Sequence, residues 1–303
     1  MPRESAVVVS LNVPRLRDTA MWRKLLDARD RSPESKKRVA DFTQATGLDP
    51  FTQIDGLVAG FPAQAQGGAA GDFGVVVRGT FDSAKLVAWA QGEARKRGQD
   101  VVTEDYQGTK LYHERDSYNA VAFLDAHTLI LASRDWAHRM LDLAAGRAPE
   151  SAKGSAKDNA ELTGLMRKTR TGDALWLVGV VSDAARGRIA STPGLEGLKS
   201  LKTIYGSLDF ATGLRLELAL DLPTDADAQG LNGQLQLQLT EAKKNTRTAL
   251  LGITPFLNDI KPDTDKSTFR LSINYNQAQV DQLLDRAQAL LPAIGFNPNP
   301  PTP

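Results

Sequence analysis

The chain of 303 residues contains no cysteine, which excludes disulfides, thiolate metal sites and cysteine nucleophiles and leaves the redox compartment open. Aromatic residues are sparse, at 6%, so each tryptophan merits its own account. Neither sign of charge is in excess: 37 Lys and Arg stand against 36 Asp and Glu, and residues 1–150 carry 20 of each. Phosphate-driven nucleic-acid binding draws on a basic excess or a basic face, so this balance argues against a nucleic-acid partner. No apolar run approaches the roughly 20 residues that span a bilayer. The start, Met1-Pro2-Arg3-Glu4, runs into strand-like residues with no signal-peptide core.

What the chain does contain is a recurring unit: a short alternating strand, a polar or proline helix start, then an amphipathic helix. It recurs at residues 7–26, 75–94, 129–144, 176–189, 214–239 and 269–291. Val7, Val9, Leu11 and Val13 alternate before Pro14, which suits a first helical position because its missing N–H would be unpaired there anyway. One helix with the stripe Met21, Trp22, Leu25 and Leu26 is expected next. Ser32, then Asp82 or Ser83, then Ser133, then Ser182 or Asp183 read as helix starts and Gly47 as a C-terminal stop. Strands at 101–106, 110–114, 120–124 and 128–132 are joined by turns too short for parallel crossovers.

In the second half Leu214, Leu216, Leu218, Leu220 and Leu222 alternate with Arg215, Glu217, Ala219 and Asp221, the mark of a sheet covered on one face only. Residues 231–242 are read as helix rather than strand from their Ala, Gln, Glu and Lys content, and 248–260 as a helix broken at Pro255. Asp263 and Asp265 are read as a turn. The expected class is α+β: two related halves, each a mostly antiparallel sheet with helices packed on one face. The halves are set at 1–146 and 159–296, with a Gly, Pro and Ser-rich linker at 147–158 and a disordered proline-rich tail at 297–303.

The chemistry-bearing residues form no catalytic pattern. His113, His127 and His138 fall on a strand, a hairpin turn and a helix, with no His-Glu-x-x-His spacing. No Gly-x-Ser-x-Gly elbow is present. Gly194, Gly197, Lys199 and Ser200 lack phosphate-loop spacing, and Gly67, Gly68 and Gly71 lack that of a dinucleotide loop. Glu104 and Asp105 point to opposite faces of a strand. No catalytic residue, metal ligand or cofactor is therefore assigned.

Three segments carry a resemblance: FGVVVRGTFD at 73–82, YQGTKLY at 106–112 and AFLDAHTLILAS at 122–133. Over residues 70–145 the chain resembles uncharacterised exported or lipid-anchored bacterial proteins built on domains of unknown function. The resemblance implies a periplasmic or envelope location if an upstream signal was removed, and a cytoplasmic one otherwise. It transfers no functional residues.

These observations favour a non-enzymatic envelope protein that binds another protein or envelope component through an open sheet face, with Tyr205, Arg215, Glu217 and Arg270 as candidates. Trp89, just off the Leu86 and Ala90 stripe, is the candidate exposed anchor. A second reading is a carrier of a lipid or other apolar ligand between the 214–222 strand and the helices at 231–239 and 280–291. A hydrolase with an unfamiliar site is the third.

Overall fold

The alternating residues after Ala6 build the strand on which the molecule is organised. The computed structural model describes residues 1–63, 71–148, 154–192 and 195–290. It opens with β1 (Ser5–Asn12), α1 (Val13–Arg17), α2 (Ala20–Arg31), α3 (Pro33–Thr46), β2 (Ile54–Pro62), β3 (Gly74–Gly79) and α4 (Ser83–Lys96). A four-strand run follows, β4 (Val101–Tyr106), β5 (Thr109–Glu114), β6 (Asn119–Asp125) and β7 (Thr128–Ser133), and then α5 (Arg134–Ala144). The second half holds α6 (Ala160–Lys168), β8 (Leu175–Val180), α7 (Asp183–Ala190), β9 (Thr203–Asp209), β10 (Gly213–Asp221) and α8 (Asp225–Lys244). It ends with α9 (Thr246–Leu250), α10 (Thr254–Leu257), β11 (Ile260–Asp265), β12 (Thr268–Asn276) and α11 (Gln277–Leu290).

The fold is α+β, and the two expected halves meet in one 12-stranded antiparallel sheet of order β11-β12-β10-β9-β8-β1-β2-β3-β7-β6-β5-β4. At its centre Val8 of β1 pairs with Gly60 of β2 on one side and Val178 of β8 on the other. Within the expected linker, Ser155 bridges Pro2, and a 3-10 turn at Ala156–Asp158 closes with a capping box. Residues 149–153 and the tail at 297–303 lie outside the described residues.

Local chemistry sets the boundaries. Ser32, Asp82 and Ser182 accept hydrogen bonds from the backbone N–H groups of Ser35, Lys85 and Ala185, satisfying donors the helix cannot pair itself. Gly47 ends α3 in the left-handed conformation at φ 73°. Residues 231–242 are helical within α8, and Pro255 opens the short α10.

Three expectations need correction. The first helix is two, because Thr19 starts α2 afresh with its hydroxyl on Trp22 N–H, and Leu25 is left exposed. Ser133 precedes α5 without capping it, since its hydroxyl donates to Asp72 instead. Asp263 and Asp265 sit in an edge strand, β11, rather than a turn. Pro262 is tolerated there because an edge strand has one unpaired side.

Strand alternation sorts side chains onto two faces. One face buries Leu111, Ala120, Ala122, Ile130 and Ala132 beneath Trp136, Met140 and Leu141 of α5. On β8 and β9 the same face buries Val178 and Tyr205 beneath Leu162 and Leu165 of α6. Beyond α6, no helix among the described residues packs on this face over β10, β12 and β11. The opposite face holds α8 over Leu220 and Phe269, α11 over Tyr275, and α3 and α4 at the far end.

The β9–β10 turn depends on Gly213, whose φ of 137° is closed to L side chains and whose added Cβ would collide with the Tyr275 carbonyl. Gly213→Ala is expected to cost about 2 kcal/mol or more, read as a lowered urea midpoint with the denaturant slope unchanged.

Candidate functional site

β5, β6 and β7 differ sharply on their two faces. Under α5, Ile130 is 1% exposed and Ala122 fully buried. On the reverse side their neighbours Val121, Phe123, Leu129 and Leu131 are only half-buried. Here α4 stands off the sheet, and the space between is a groove of about 430 Å³.

Its walls are Leu86, Val87, Trp89 and Ala90 of α4, Phe42 of α3, and the sheet residues Tyr112, Val121, Phe123, Leu129 and Leu131. Trp89, 37% exposed, packs edge-on to Phe42 at 4.9 Å between ring centroids. One end is polar, lined by Glu93, Arg97, Glu114, Ser117 and Asn119, with Arg97 and Glu114 ion-paired. Its volume lies within the range of small-molecule sites, and its apolar body with few polar groups is their usual composition.

The space first suggested for an apolar ligand is filled. Leu220, Leu222, Phe269 and Ala228 pack with Leu231 and Leu235 in a continuous core beneath α8. The strand period placed the leucines on the covered face, but periodicity carries no measure of how closely a helix approaches.

Tyr205, Arg215, Glu217 and Arg270 do share one face, the one on which no helix among the described residues covers β10 and β12. Register sets Ala219 between Tyr205 and Arg270, and Glu217 between Ser207 and Ser272. Most of their charges are already engaged. Arg215 Nη2 lies 2.9 Å from Asp173 and 3.8 Å from Asp209, both buried carboxylates. Arg170 reaches Glu217 at 3.0 Å and Asp265 holds Arg270 at 3.3 Å. A guanidinium between two buried carboxylates is a structural neutralisation, so Arg215 serves the fold.

A third cluster was invisible in the sequence. Glu104 points toward α5, as strand alternation required, and Asp105 turns away to accept Gly108 N–H. Glu104 accepts from His138 Nε2 at 2.8 Å and from Arg134 at 3.2 Å, with His113 Nε2 at 4.0 Å. His113, at 8% exposure, is buried, its Nδ1 on the Glu114 carbonyl. Tyr106 stacks on the His138 ring at 4.1 Å and donates to Asp142. The cluster ties edge strand β4 to α5. Among the described residues no group of three His, Asp or Glu is arranged to hold a metal ion.

No protein-family model and no curated protein matches the chain. Among solved structures it is similar to TP0453 in crystal form III, at TM-score 0.45 and 11% identity, covering 95% of this chain and 98% of that one. Crystal form I of TP0453 gives 0.43 and 11%, with 96% and 97% covered. Likeness at this level says nothing about what the present chain binds.

Burial alone would raise the Glu104 pKa, but hydrogen bonds from His138 and Arg134 outweigh it and hold the carboxyl below its ordinary 4.5. A depressed folded-state pKa contributes stability above the unfolded value that is lost as pH falls through the folded one. Wild type is therefore expected to exceed Glu104→Gln in stability above pH 4.5, with the gap closing as pH falls below it. Paired urea titrations across that range measure it.

Proposed function

We propose that this is a non-enzymatic binding protein whose groove between α4 and the sheet takes an apolar chain. The observation that carries the reading is the contrast across β6 and β7. One face is sealed by α5, and the other presents an apolar surface that its own helices leave half-covered. Each half-exposed Val, Leu or Phe forgoes about 1 kcal/mol of burial, taking half of the usual full-burial gain. A ligand lying on Val121, Phe123, Leu129 and Leu131 recovers that on several side chains at once.

The same incomplete cover continues across the sheet. Val75 and Val77 of β3 and Val7 and Val9 of β1 are half-buried, and Phe61 of β2 is exposed. An elongated ligand suits such a track better than a compact one. The polar end at Arg97 and Glu114 suits an amphiphile whose head stays in water. The bacterial envelope location implied by the resemblance at 70–145 belongs to this proposal, because envelope lipids supply such molecules.

The reading with a macromolecular partner on the open sheet face is supported less well. That face is a hollow between α6 and β11 whose charges are largely paired internally.

Ala90 faces the groove from a helix surface, so Ala90→Trp occludes the space while the helix retains its registry. This variant is expected to keep its far-UV circular dichroism and to lose binding of a fluorescent fatty acid by about tenfold or more, since several half-buried contacts go together. Equal binding by wild type and variant, or none by either, contradicts the proposal.

A further inference from the structure

The apolar groove opens onto a longer line of side chains. Strand pairing sets Val121 of β6 opposite Leu131 of β7, Leu131 opposite Val75 of β3, and Val75 opposite Ala59 of β2. Ala59 in turn stands opposite Val9 of β1, and Val9 opposite Leu177 of β8. Directly opposed residues share a face of the sheet, so these six side chains form one line across the strands. A second line, from Phe123 through Leu129, Val77, Leu57 and Leu11 to Leu175, runs beside it by the same pairings. Neither line contains a polar residue, and both are half-buried from end to end. On the reverse face of the same strands Val8, Val178, Ile130 and Ala132 are sealed.

The line has two unlike ends. At β6 it starts beside the polar end of the groove, where Asn119 precedes Val121 on the strand and Arg97 pairs with Glu114. Past Leu177 the next residues in register are Gly206 and then Leu218, and Leu218 already packs against the filled core beneath α8. Between those ends lie five strand spacings of about 4.8 Å, or about 24 Å. An extended alkyl chain, with bonds of about 1.5 Å set at the tetrahedral angle, covers that distance with roughly 18 to 20 carbons.

We infer that the ligand is a single long acyl chain of about 18 carbons laid across six strands, its head at Arg97 and Glu114 and its tail ending at Leu177. The inference rests on the groove being the ligand site and adds to it a measure of length: the core beneath α8 stops the tail.

Displacement of a fluorescent fatty acid by saturated fatty acids of increasing length tests it. Affinity is expected to rise about twofold per carbon, half the free energy of a fully buried methylene, up to about 18 carbons and then to level off. Ala59→Phe sets a ring across the middle of the line in a residue type that strands favour. It is expected to weaken an acid of about 18 carbons at least tenfold more than one of about 10, because the shorter chain ends before β2. Val9→Thr keeps the branched shape and puts a hydroxyl under the tail; it is expected to weaken the longer acid about fivefold more than the shorter. Affinity that stops rising near 10 carbons, with Ala90→Trp still weakening binding, keeps the ligand in the groove and overturns the inference. A length dependence that both line variants leave unchanged also overturns it. Absence of binding at every length overturns the groove reading and this inference together.

Discussion

Strand β1 is hydrogen-bonded along both edges, to β2 from Val7 to Asn12 and to β8 from Val7 to Leu11. Because of that double pairing the chain has a single sheet with two long faces instead of two small ones with a spare edge each. Closing the inner edges removes unpaired backbone groups at the middle of the molecule. It also creates a demand, since a twelve-stranded sheet presents more apolar surface than the chain's helices can cover on both sides.

The distribution of helices shows how that demand is met. On one face α5 brings Trp136, Met140 and Leu141 onto the small sheet residues Ala120, Ala122 and Ala132, and α6 brings Leu162 and Leu165 onto Val8, Val178 and Tyr205. Large against small gives interdigitation and near-complete burial. On the other face, in the first half, large side chains meet from both sides. The sheet offers Phe123, Leu129 and Leu131 to Leu86, Val87, Trp89 and Ala90 of α4, and the space between them is the groove. In the second half, α8 and α11 bring Leu231, Leu235, Val280 and Leu284, and the space is filled. Where the first face loses its helices, over β10 and β12, the exposed side chains are charged and mutually paired, which is what an uncovered sheet requires.

Much of this architecture was legible in the residues. Alternation located the strands, and the caps at Ser32, Asp82 and Ser182 located helix starts, because both signals rest on short-range geometry. β11 escaped notice because Lys261-Pro262-Asp263 lacks β-branched or aromatic residues and becomes a strand only through pairing with β12. Ser133 was misread because its hydroxyl prefers Asp72, a residue from the approach to β3. The shared face of Tyr205, Arg215, Glu217 and Arg270 followed from strand period alone. That Arg215 is consumed by Asp173 and Asp209, or that Glu104 gathers two histidines, depends on tertiary approach and leaves no local trace. The groove belongs to the same class: Trp89 was singled out for lying off its helix stripe, but the gap beneath it is set by how far α4 stands from the sheet.

The central claim is that the unsealed side of β6 and β7 is where a ligand lies. Isotope-filtered nuclear magnetic resonance of the methyl-labelled protein with a saturated fatty acid tests it at the level of single residues. The account predicts cross-relaxation from the chain methylenes to the methyl groups of Val121, Leu129 and Leu131, and none to Leu111 or Ile130 on the sealed face. Contacts confined to the α8 core, or no contact with any of the three groove residues, would contradict it.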